Sequence, residues 1–401
     1  MHQQLLNIPQ AAGAAAGTFQ VPVVLPQPEQ EIRYVKDEWD LDRSARELIA
    51  ARQCMLGAND AGCGKSATAN RASALYAEEN PVAEGPASIV CTPGNFLAQR
   101  WMRDAPSSVQ SMTYDSHFGI RTKDGSNKFG GQPRIFDELW SASAGNLMKL
   151  FKFMKRNPDI LVIATGDPRQ LPNPSMRWEQ DMTNRAIAMM FPVKFVMTEI
   201  KRQGTESKRY QEHADAYWGA ETFEEKLKIT TDYFPNIDLF KAAELLRAGA
   251  YGIAYRNYTC NTLSDISFPK KDHPLEEVGN IVICMDPSNV RGAKKIEYEV
   301  VACGPMTVEI KDDDGDVFDT EELDGEYVTL EPRYNTWDTF RTLNIPKEKF
   351  LDNFKKKCMS TAHMAQGLTE DTVVIFEPDF FLWNRIRDTA ANALYVAWTR
   401  G

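Results

Sequence analysis

Short apolar runs that end in small or acidic residues recur along the first half of the chain. The first run, QCMLGA at 53–58, is followed by Asn, Asp and Gly, which is typical of a buried strand that leads into a glycine-containing turn. Three later runs have the same pattern: SIVCTP at 88–93, PRIFDE at 133–138 and DILVIATGD at 159–167. We expect these runs to be the strands of a buried sheet.

Segments with helical spacing lie between these runs. The clearest are DRSARELIAA at 42–51 and SAGNLMKLFKFMKR at 143–156. Strands that alternate with helices predict an α/β fold, in which a parallel sheet has helices on both faces. Ligands of such sheets bind at the carboxyl ends of the strands.

The second half of the chain contains two kinds of sequence pattern, one typical of α/β structure and one typical of antiparallel strands. A second α/β block begins near Phe240 and resumes at residues 355–376. Between these parts, residues 278–332 form short alternating runs separated by turn residues, which predict a small antiparallel barrel. We therefore expect a second α/β domain with a β insertion.

The N-terminal segment differs from the rest. Residues 1–28 contain no Asp, Glu, Lys or Arg, and Gln, Pro and Gly interrupt their apolar positions. A signal peptide needs a cationic start, and a membrane span needs about 20 unbroken apolar residues. The pattern predicts a flexible low-complexity leader over residues 1–30 and a soluble protein with no membrane contact.

Composition limits the partners and the compartment. The 401 residues are 43% hydrophobic and 25% charged, an ordinary globular balance. The formal net charge of −10 excludes a protein that coats nucleic acid by bulk charge, so any such contact must be local. Seven cysteines without a C-x-x-C pair argue against a disulfide framework or a zinc ribbon and favour a reducing, intracellular compartment.

The segment NDAGCGKS at 59–66 has the chemistry of a phosphate-binding loop. Small residues let successive backbone amides wrap a phosphate, while Lys65 reaches the β- and γ-phosphates and Ser66 holds Mg²⁺. Asn59 stands where the P-loop pattern has its first Gly, and Asn tolerates a left-handed backbone. The predicted nucleotide-binding loop comprises Asn59, Asp60, Ala61, Gly62, Cys63, Gly64, Lys65 and Ser66.

Later residues suit hydrolysis of the same ligand. Asp137 and Glu138 end a predicted strand, where Asp137 can hold Mg²⁺ and Glu138 can deprotonate an attacking water. Gln170 in GDPRQLP can bind a γ-phosphate. The guanidinium groups of Arg202 and Arg400 can stabilise the charge of the transition state. Each signal is weak alone.

The ordered set of motifs resembles that of superfamily 1 helicases. Over about residues 50–401 the chain contains NDAGCGKS, CTPGNF, TYDSHFGI, IFDELW, GDPRQLP, TEIKRQ, TAHMAQGLTEDTVVIF and ALYVAWTR in that family's order. The sequence is most similar to the RecD-like branch, which includes the phage Dda helicase. Superfamily 1 helicases of RNA viruses are the near alternative, because QGLT also occurs there.

The resemblance implies a fold and an activity. Two RecA-like P-loop domains are expected, the first over 31–235 and the second over 236–277 and 333–401, with an SH3-like β-barrel inserted at 278–332. The implied activity is hydrolysis of ATP with Mg²⁺, coupled to 5′-to-3′ movement along single-stranded nucleic acid and to duplex unwinding. DNA is favoured over RNA, and replication or recombination proteins are the implied partners.

The resemblance also assigns roles to single residues. Lys65, Glu138, Gln170, Arg202 and Arg400 match catalytic positions, Ser66 and Asp137 match metal positions, and Gln366 and Gly367 match the loop that couples the nucleotide to the strand. The positions that match strand contacts are Thr92, Pro93, Thr113, Ser116, Thr361 and His363. Two positions depart from the family, because Asp115 replaces a His and Thr369 replaces a Glu.

Two alternatives stay open at this point. Residues 121–132 are expected to form a pin that separates the duplex, with Phe129 as the wedge, but a solvated loop of that length is an equal alternative. A P-loop phosphotransferase or switch protein without translocation, or an inactive scaffold, would explain the phosphate loop and leave TAHMAQG and YVAWTR unexplained.

Overall fold

The structure of the chain is a computed structural model. It describes residues 30–35, 41–58, 60–81, 85–104, 108–119, 130–167, 169–171, 180–198, 200, 207–285, 295–311, 317–334, 336, 342–366, 370–384 and 389–400. The predicted leader, apart from Gln30, lies outside these residues, as does the predicted pin up to and including Phe129. Among the helices that the structure describes, none combines the length and hydrophobicity that a membrane span requires.

A parallel sheet organises the first half of the chain. Among the described residues it has seven strands, in the order β1-β7-β2-β6-β5-β3-β4. The strands are β1 (Glu31–Val35), β2 (Gln53–Ala58), β3 (Ser88–Thr92), β4 (Val109–Thr113), β5 (Arg134–Phe136), β6 (Val162–Thr165) and β7 (Val193–Met197). The helices of this unit are α1 (Leu41–Ala51), α2 (Lys65–Glu79), α3 (Asn95–Asp104), α4 (Tyr114–His117), α5 (Ala144–Arg156) and α6 (Gln180–Met190).

Local sequence explains these elements well. All residues of β3 and β6 are buried, as expected for strands that helices cover on both faces. Helix α5 begins where the side chain of Ser143 accepts a hydrogen bond from the amide of Asn146. The predicted strands at 53–58, 88–93, 133–138 and 159–167 and both predicted helices are present, which confirms the α/β fold class.

A second, smaller parallel sheet forms the other α/β unit. Its described strands have the order β14-β8-β15, namely β8 (Tyr251–Ala254), β14 (Met359–Thr361) and β15 (Val373–Ile375). The helices in this half of the chain are α7 (Ser207–Gly219), α8 (Phe223–Tyr233), α9 (Leu239–Arg247), α10 (Asn257–Ser267), α11 (Lys347–Asn353), α12 (Ala362–Ala365), α13 (Glu377–Asn384) and α14 (Ala390–Trp398).

An antiparallel sheet separates β8 from β14 along the chain. Its described strands are β9 (Ile281–Cys284), β10 (Glu297–Lys311), β11 (Val317–Pro332), β12 (Leu343–Pro346) and β13 (Phe354–Lys356), in the order β12-β11-β10-β9-β13. Strands β12 and β13 pair with β11 and β9, so the sheet extends beyond the predicted segment 278–332. The sequences LNIP and FKK are too short to show the alternation that predicts a strand.

Helix α14 joins the two parallel sheets. One hydrophobic cluster contains Cys54 and Leu56 of β2 together with Leu394 and Trp398 of α14. The residues of α14 from Ala393 to Trp398 are almost fully buried. The last described helix therefore packs directly against the sheet that carries the phosphate loop, although more than 300 residues separate them in the chain.

Candidate active site and nucleic-acid interface

The phosphate loop connects β2 to α2. Gly62 and Gly64 have φ angles of 83° and 86°, in the left-handed region where any other side chain would be strained. Helix α2 begins at Lys65, so its first amides and the positive end of its dipole face the loop. Ser66 is exposed and Lys65 is half-buried, while Asn59 lies outside the described residues. This backbone is suited to hold an anion.

Asp60 anchors the loop from behind. Its side chain is fully buried, and it accepts a 2.9 Å hydrogen bond from the Nε2 atom of Gln211 and pairs with Arg169 at 3.2 Å. The hydroxyl of Tyr395 accepts a 3.0 Å hydrogen bond from the amide of Ala61. The carboxylate of Asp60 is thus engaged by Gln211 and Arg169 within the protein. Tyr395 on α14 holds the loop from the side of the second α/β unit.

Asp137 and Glu138 follow β5. This strand pairs with β6, which in turn pairs with β2, the strand that leads into the phosphate loop. The Nε1 atom of Trp101 donates a 2.6 Å hydrogen bond to Oδ2 of Asp137, and the hydroxyl of Thr165 donates to Oδ1. Each carboxylate oxygen has a second lone pair, so Asp137 still suits a hard cation such as Mg²⁺.

Glu138 has an unusual backbone for a residue with a side chain. Its φ of 52° and ψ of 50° lie in the left-handed region, where non-glycine residues are strained, as is often found at functional sites. The side-chain amide of Gln366 donates to Oε2 of Glu138 at 3.3 Å and to the hydroxyl of Ser141 at 3.1 Å. Gln366 therefore connects the second α/β unit to the acidic pair, while Gly367 lies outside the described residues.

Burial and nearby charges shift the pKa of acidic side chains beside the phosphate loop. Burial, and next the charge of Asp137, raise the pKa of Glu138 to about 7, and the charges of Lys65 and Arg400 oppose this shift. Burial also raises the pKa of Asp167, again opposed by Lys65. Glu138 and Asp167 thus lie within electrostatic range of both Lys65 and Arg400, which come from the two halves of the chain. We term the region around these four side chains the crevice.

Arg400 points into the protein. It is 1% exposed, and burial lowers its pKa, whereas Glu138 is the charge that most strongly counteracts this. Its Nε atom donates to the carbonyl of Val396 at 2.9 Å, and Nη2 donates to the hydroxyl of Thr399 at 2.9 Å. The guanidinium is thus held at the end of α14, close to the acidic pair.

Gln170 lies in the turn that follows β6. Its amide donates to the carbonyl of Asp167 at 3.1 Å, and its side chain is 3% exposed. Within the described part of the chain, Oε1 of Gln170 and Oδ2 of Asp167 are buried and have no hydrogen-bond partner. Buried polar atoms of this kind are costly unless a ligand satisfies them. Arg202, the other predicted arginine, lies outside the described residues.

The candidate strand-contact residues lie at the carboxyl ends of three strands. Thr92 and Thr113 are register partners at the ends of β3 and β4, and Thr361 ends β14. Pro93 and His363 are exposed, whereas Thr92 is buried and its hydroxyl donates to the carbonyl of Gly94 at 3.0 Å.

Thr113 and its neighbours mainly support one another. The hydroxyl of Thr113 caps α4 by accepting from the amide of Ser116, and it donates to the Ser116 hydroxyl at 3.0 Å. Asp115, at the position that departs from the family, accepts from the side chain of Asn146 on α5 at 3.3 Å. His117 is buried, and its ring meets Phe118, Phe136 and Phe153.

Three residues that sequence reasoning missed shape this site. Trp101 and Thr165 orient Asp137, and Tyr395 fixes the phosphate loop. Tyr395 was within reach of the sequence argument because it belongs to the motif ALYVAWTR. No sequence pattern around Trp101 or Thr165 marks these residues, since each acts by a hydrogen bond to Asp137, which is distant in the chain.

Comparison with known proteins supports this fold. No protein-family model matches the chain, and no curated protein matches it in sequence. The crystal structure of the Pif1 helicase from Candida albicans is similar over 91% of this chain and 92% of that chain, with 14% identity and a TM-score of 0.54. A structure described as the basis for DNA unwinding at forked double-stranded DNA by two coordinating Pif1 helicases is similar over 91% and 90%, with 17% identity and a TM-score of 0.51.

These likenesses establish the architecture. At 14% and 17% identity they show the fold alone. The chain therefore has the fold of the Pif1 helicases, with two RecA-like α/β units and an additional antiparallel sheet compatible with an inserted β domain.

Proposed function

We propose that this protein is a superfamily 1 helicase that hydrolyses ATP to move along single-stranded DNA and to unwind duplex DNA. The observation that supports this most strongly is that the second α/β unit contacts both the phosphate loop and the acidic pair of the first: Ala61 donates to Tyr395 at 3.0 Å, and Gln366 donates to Glu138 at 3.3 Å. A phosphotransferase or switch protein needs the phosphate loop and the acidic pair alone. The Pif1 fold favours DNA as the substrate, since the similar structure described above concerns DNA unwinding at a fork.

The residues of the crevice have complementary roles in this proposal. Lys65 and the loop amides bind the phosphates, and Ser66 and Asp137 would hold Mg²⁺, which neutralises phosphate charge when it is bound. Glu138 accepts a proton from the attacking water, a role that its raised pKa suits at neutral pH. The guanidinium of Arg400 stabilises the charge that develops on the transferred phosphoryl group.

Gln170 and Gln366 complete the site. The side-chain N–H of Gln170 would donate to the γ-phosphate, and this hydrogen bond would be lost when the phosphate leaves, while its unsatisfied Oε1 is an acceptor that suits the attacking water. Gln366 bridges Glu138 and Ser141, so a change at the nucleotide would reach the segment that contains Thr361 and His363. Movement along a strand requires that the nucleotide-bound and released states differ in affinity for the strand.

A second connection links the strand-contact segment to Arg400. Helix α3 follows Pro93, and Arg100 on this helix pairs with Glu370 at 3.1 Å while both side chains are largely buried. The amide of Glu370 donates to the carbonyl of Arg400 at 2.9 Å. We propose that this connection transmits the state of the nucleotide to α3.

The finer assignments are proposals that rest on the motifs. These are the RecD-like branch with 5′-to-3′ movement, a first domain over 31–235, a second over 236–277 and 333–401, the insertion at 278–332, and a pin over 121–132. A viral RNA helicase of the same superfamily is the alternative. Replication or recombination proteins are the partners that a DNA helicase implies.

The first test is the variant Lys65→Ala. We expect hydrolysis of ATP stimulated by single-stranded DNA to fall by about 10²–10³-fold, because a positioned cation on the phosphates is lost. Phosphate release would be measured with and without DNA, and urea unfolding would confirm that the variant folds. Lys241→Ala, which removes an exposed lysine on α9, is the matched control. Unchanged turnover in Lys65→Ala would rule out the proposed site.

The second test separates helicase activity from the alternatives. Tailed DNA and RNA duplexes with each tail polarity would be offered to the same preparation. We expect unwinding of DNA with a 5′ tail. Hydrolysis that no nucleic acid stimulates would instead favour a P-loop phosphotransferase or switch protein, and preferential unwinding of RNA would favour the viral alternative.

A further inference from the structure

A groove with three cationic side chains lies on the first α/β unit, outside the nucleotide crevice. It has a volume of about 500 Å³, and Lys149, Lys152 and Arg156 of α5 form one of its walls. These residues are spaced at i, i+3 and i+7, so they lie on one face of the helix. We term this feature the cationic groove.

The groove is also lined by Phe118, Gly130 and Gly131. The buried side chain of Arg134 supports this part of the lining, since it donates to the carbonyls of Gly130 and Gln132. Among the nine described residues that line the groove, none carries a carboxylate. Positive charge is thus concentrated here, on a chain whose net charge is −10.

Arg134 adds a fourth positive charge beneath the surface. Its guanidinium lies 5.7 Å from the ring centre of Phe153, which itself lines the groove. Burial lowers the pKa of Arg134 to about 10, so the group stays protonated at neutral pH. A charge held in place under an apolar wall strengthens the field in the groove without competing for space there.

The position of the groove shows which anion can reach it. Gly131 precedes β5 and Ile160 precedes β6, so the groove lies towards the edge of the sheet where the strands begin, whereas Lys65 and Glu138 lie where strands end. The nucleotide in the crevice is therefore not its ligand. Phe118, which also lines the groove, is two residues beyond the candidate strand-contact residue Ser116.

We propose that the cationic groove binds the phosphodiester backbone of nucleic acid where single strand and duplex meet. This inference rests on the proposed function, because it takes Thr113 and Ser116 to adjoin the bound strand. A polymer that passes these residues can extend to Phe118 and place successive phosphates beside Lys149, Lys152 and Arg156. Contacts to phosphates position a protein on nucleic acid without reading sequence, and each makes binding more sensitive to salt.

The test compares two lysines on the same helix. Lys152 lines the groove, whereas Lys155, one turn further along α5, is exposed and does not line it, and its Nζ atom lies 4.8 Å from the ring centre of Phe151. The variants Lys152→Glu and Lys155→Glu make the same charge change. Affinity would be measured for a fluorescein-labelled forked DNA with two non-complementary tails, and for a single strand of the tail sequence, over a range of salt concentrations.

We expect Lys152→Glu to weaken binding of the fork by about threefold to tenfold more than Lys155→Glu. The slope of log affinity against log salt should become shallower by about one in Lys152→Glu, because one phosphate contact is lost, and it should stay the same in Lys155→Glu. Arg156→Glu should behave like Lys152→Glu. Urea unfolding of each variant checks that the exposed substitutions leave the fold intact.

A tailed duplex without the second tail identifies the source of the phosphates. A defect that persists on this substrate means that the groove binds the duplex, and a defect that requires both tails means that it binds the displaced strand. Equal weakening by Lys152→Glu and Lys155→Glu, or an equal loss on the single strand and the fork, would overturn the proposal. Hydrolysis by the unmodified protein that DNA does not stimulate would instead refute the proposed function, independently of this binding assay.

Discussion

The nucleotide crevice and the candidate strand-contact segments use their polar side chains in opposite ways. In the crevice, Asp167 and Gln170 are buried and each has an atom with no hydrogen-bond partner in the described part of the chain. In the strand-contact segments, the hydroxyls of Thr92 and Thr113 are satisfied by local partners. Asp167 and Gln170 keep hydrogen-bonding capacity for a ligand, whereas Thr92 and Thr113 use their hydroxyls to hold their own turns.

This difference indicates how each region would meet a ligand. Oδ2 of Asp167 and Oε1 of Gln170 are both acceptors, so a hydrogen-bond donor that accompanies the nucleotide, such as the attacking water, would satisfy them and stabilise the crevice. Around Thr92 and Thr113, a strand would meet backbone amides and exposed residues such as Pro93, since the hydroxyls are already engaged. Substitutions should therefore change activity in the crevice and stability in the strand-contact segments.

The largest effect is expected for Arg400→Ala. Removing a guanidinium that stabilises transition-state charge should lower turnover of ATP by about 10³–10⁵-fold, while the nucleotide still binds. Arg400→Lys should recover little, because Lys lacks the planar fork of donors. Stopped assays of phosphate release and binding of a fluorescent nucleotide analogue would measure the two effects. A loss of less than tenfold, in a folded variant, would contradict the assignment of Arg400 to the crevice.

An intermediate effect is expected for His117, which belongs to the strand-contact side. Burial, and next the charge of Arg134, lower the pKa of His117 to about 3 from its usual 6.5. The unfolded chain therefore binds a proton that the folded protein excludes, and stability is lost as pH falls below about 6.5. From pH 7 to pH 5 this residue should lower the free energy of unfolding by about 2 kcal/mol.

The variant His117→Phe isolates this contribution. It keeps the contacts with the surrounding rings and removes the titrating group, so its decline in stability between pH 7 and pH 5 should be about 2 kcal/mol smaller. Urea unfolding at both pH values measures this. An identical decline in His117→Phe and in the unmodified protein would show that His117 is not held neutral.

The smallest effect is expected for Thr113→Val. The change removes the hydroxyl that caps α4 and binds Ser116, which should lower the free energy of unfolding by about 1 kcal/mol. Turnover at saturating DNA should stay the same, and Thr113→Ser should restore stability. Unchanged stability together with weaker DNA binding would instead mean that this hydroxyl is kept for the strand, and the contrast between the two regions would fail.

Local pattern was enough to predict much of the fold. The runs at 53–58 and 159–167 and the helix at 143–156 were recognisable because period and turn residues are properties of neighbouring positions. The extent of the antiparallel sheet was not, because β12 and β13 have too few residues to show a pattern. Those strands form since partner strands lie beside them.

The candidate site was likewise only partly predictable from the sequence. The sequence by itself determined the phosphate loop, the acidic pair and the candidate arginines, since each is a short motif whose chemistry depends on residue type and order. Only the tertiary structure decided that Arg400 lies near Glu138, that Tyr395 holds the loop, and that Lys149, Lys152 and Arg156 face Phe118 across a groove. These contacts join residues far apart in the chain, and packing of the shared hydrophobic core determines which of them meet.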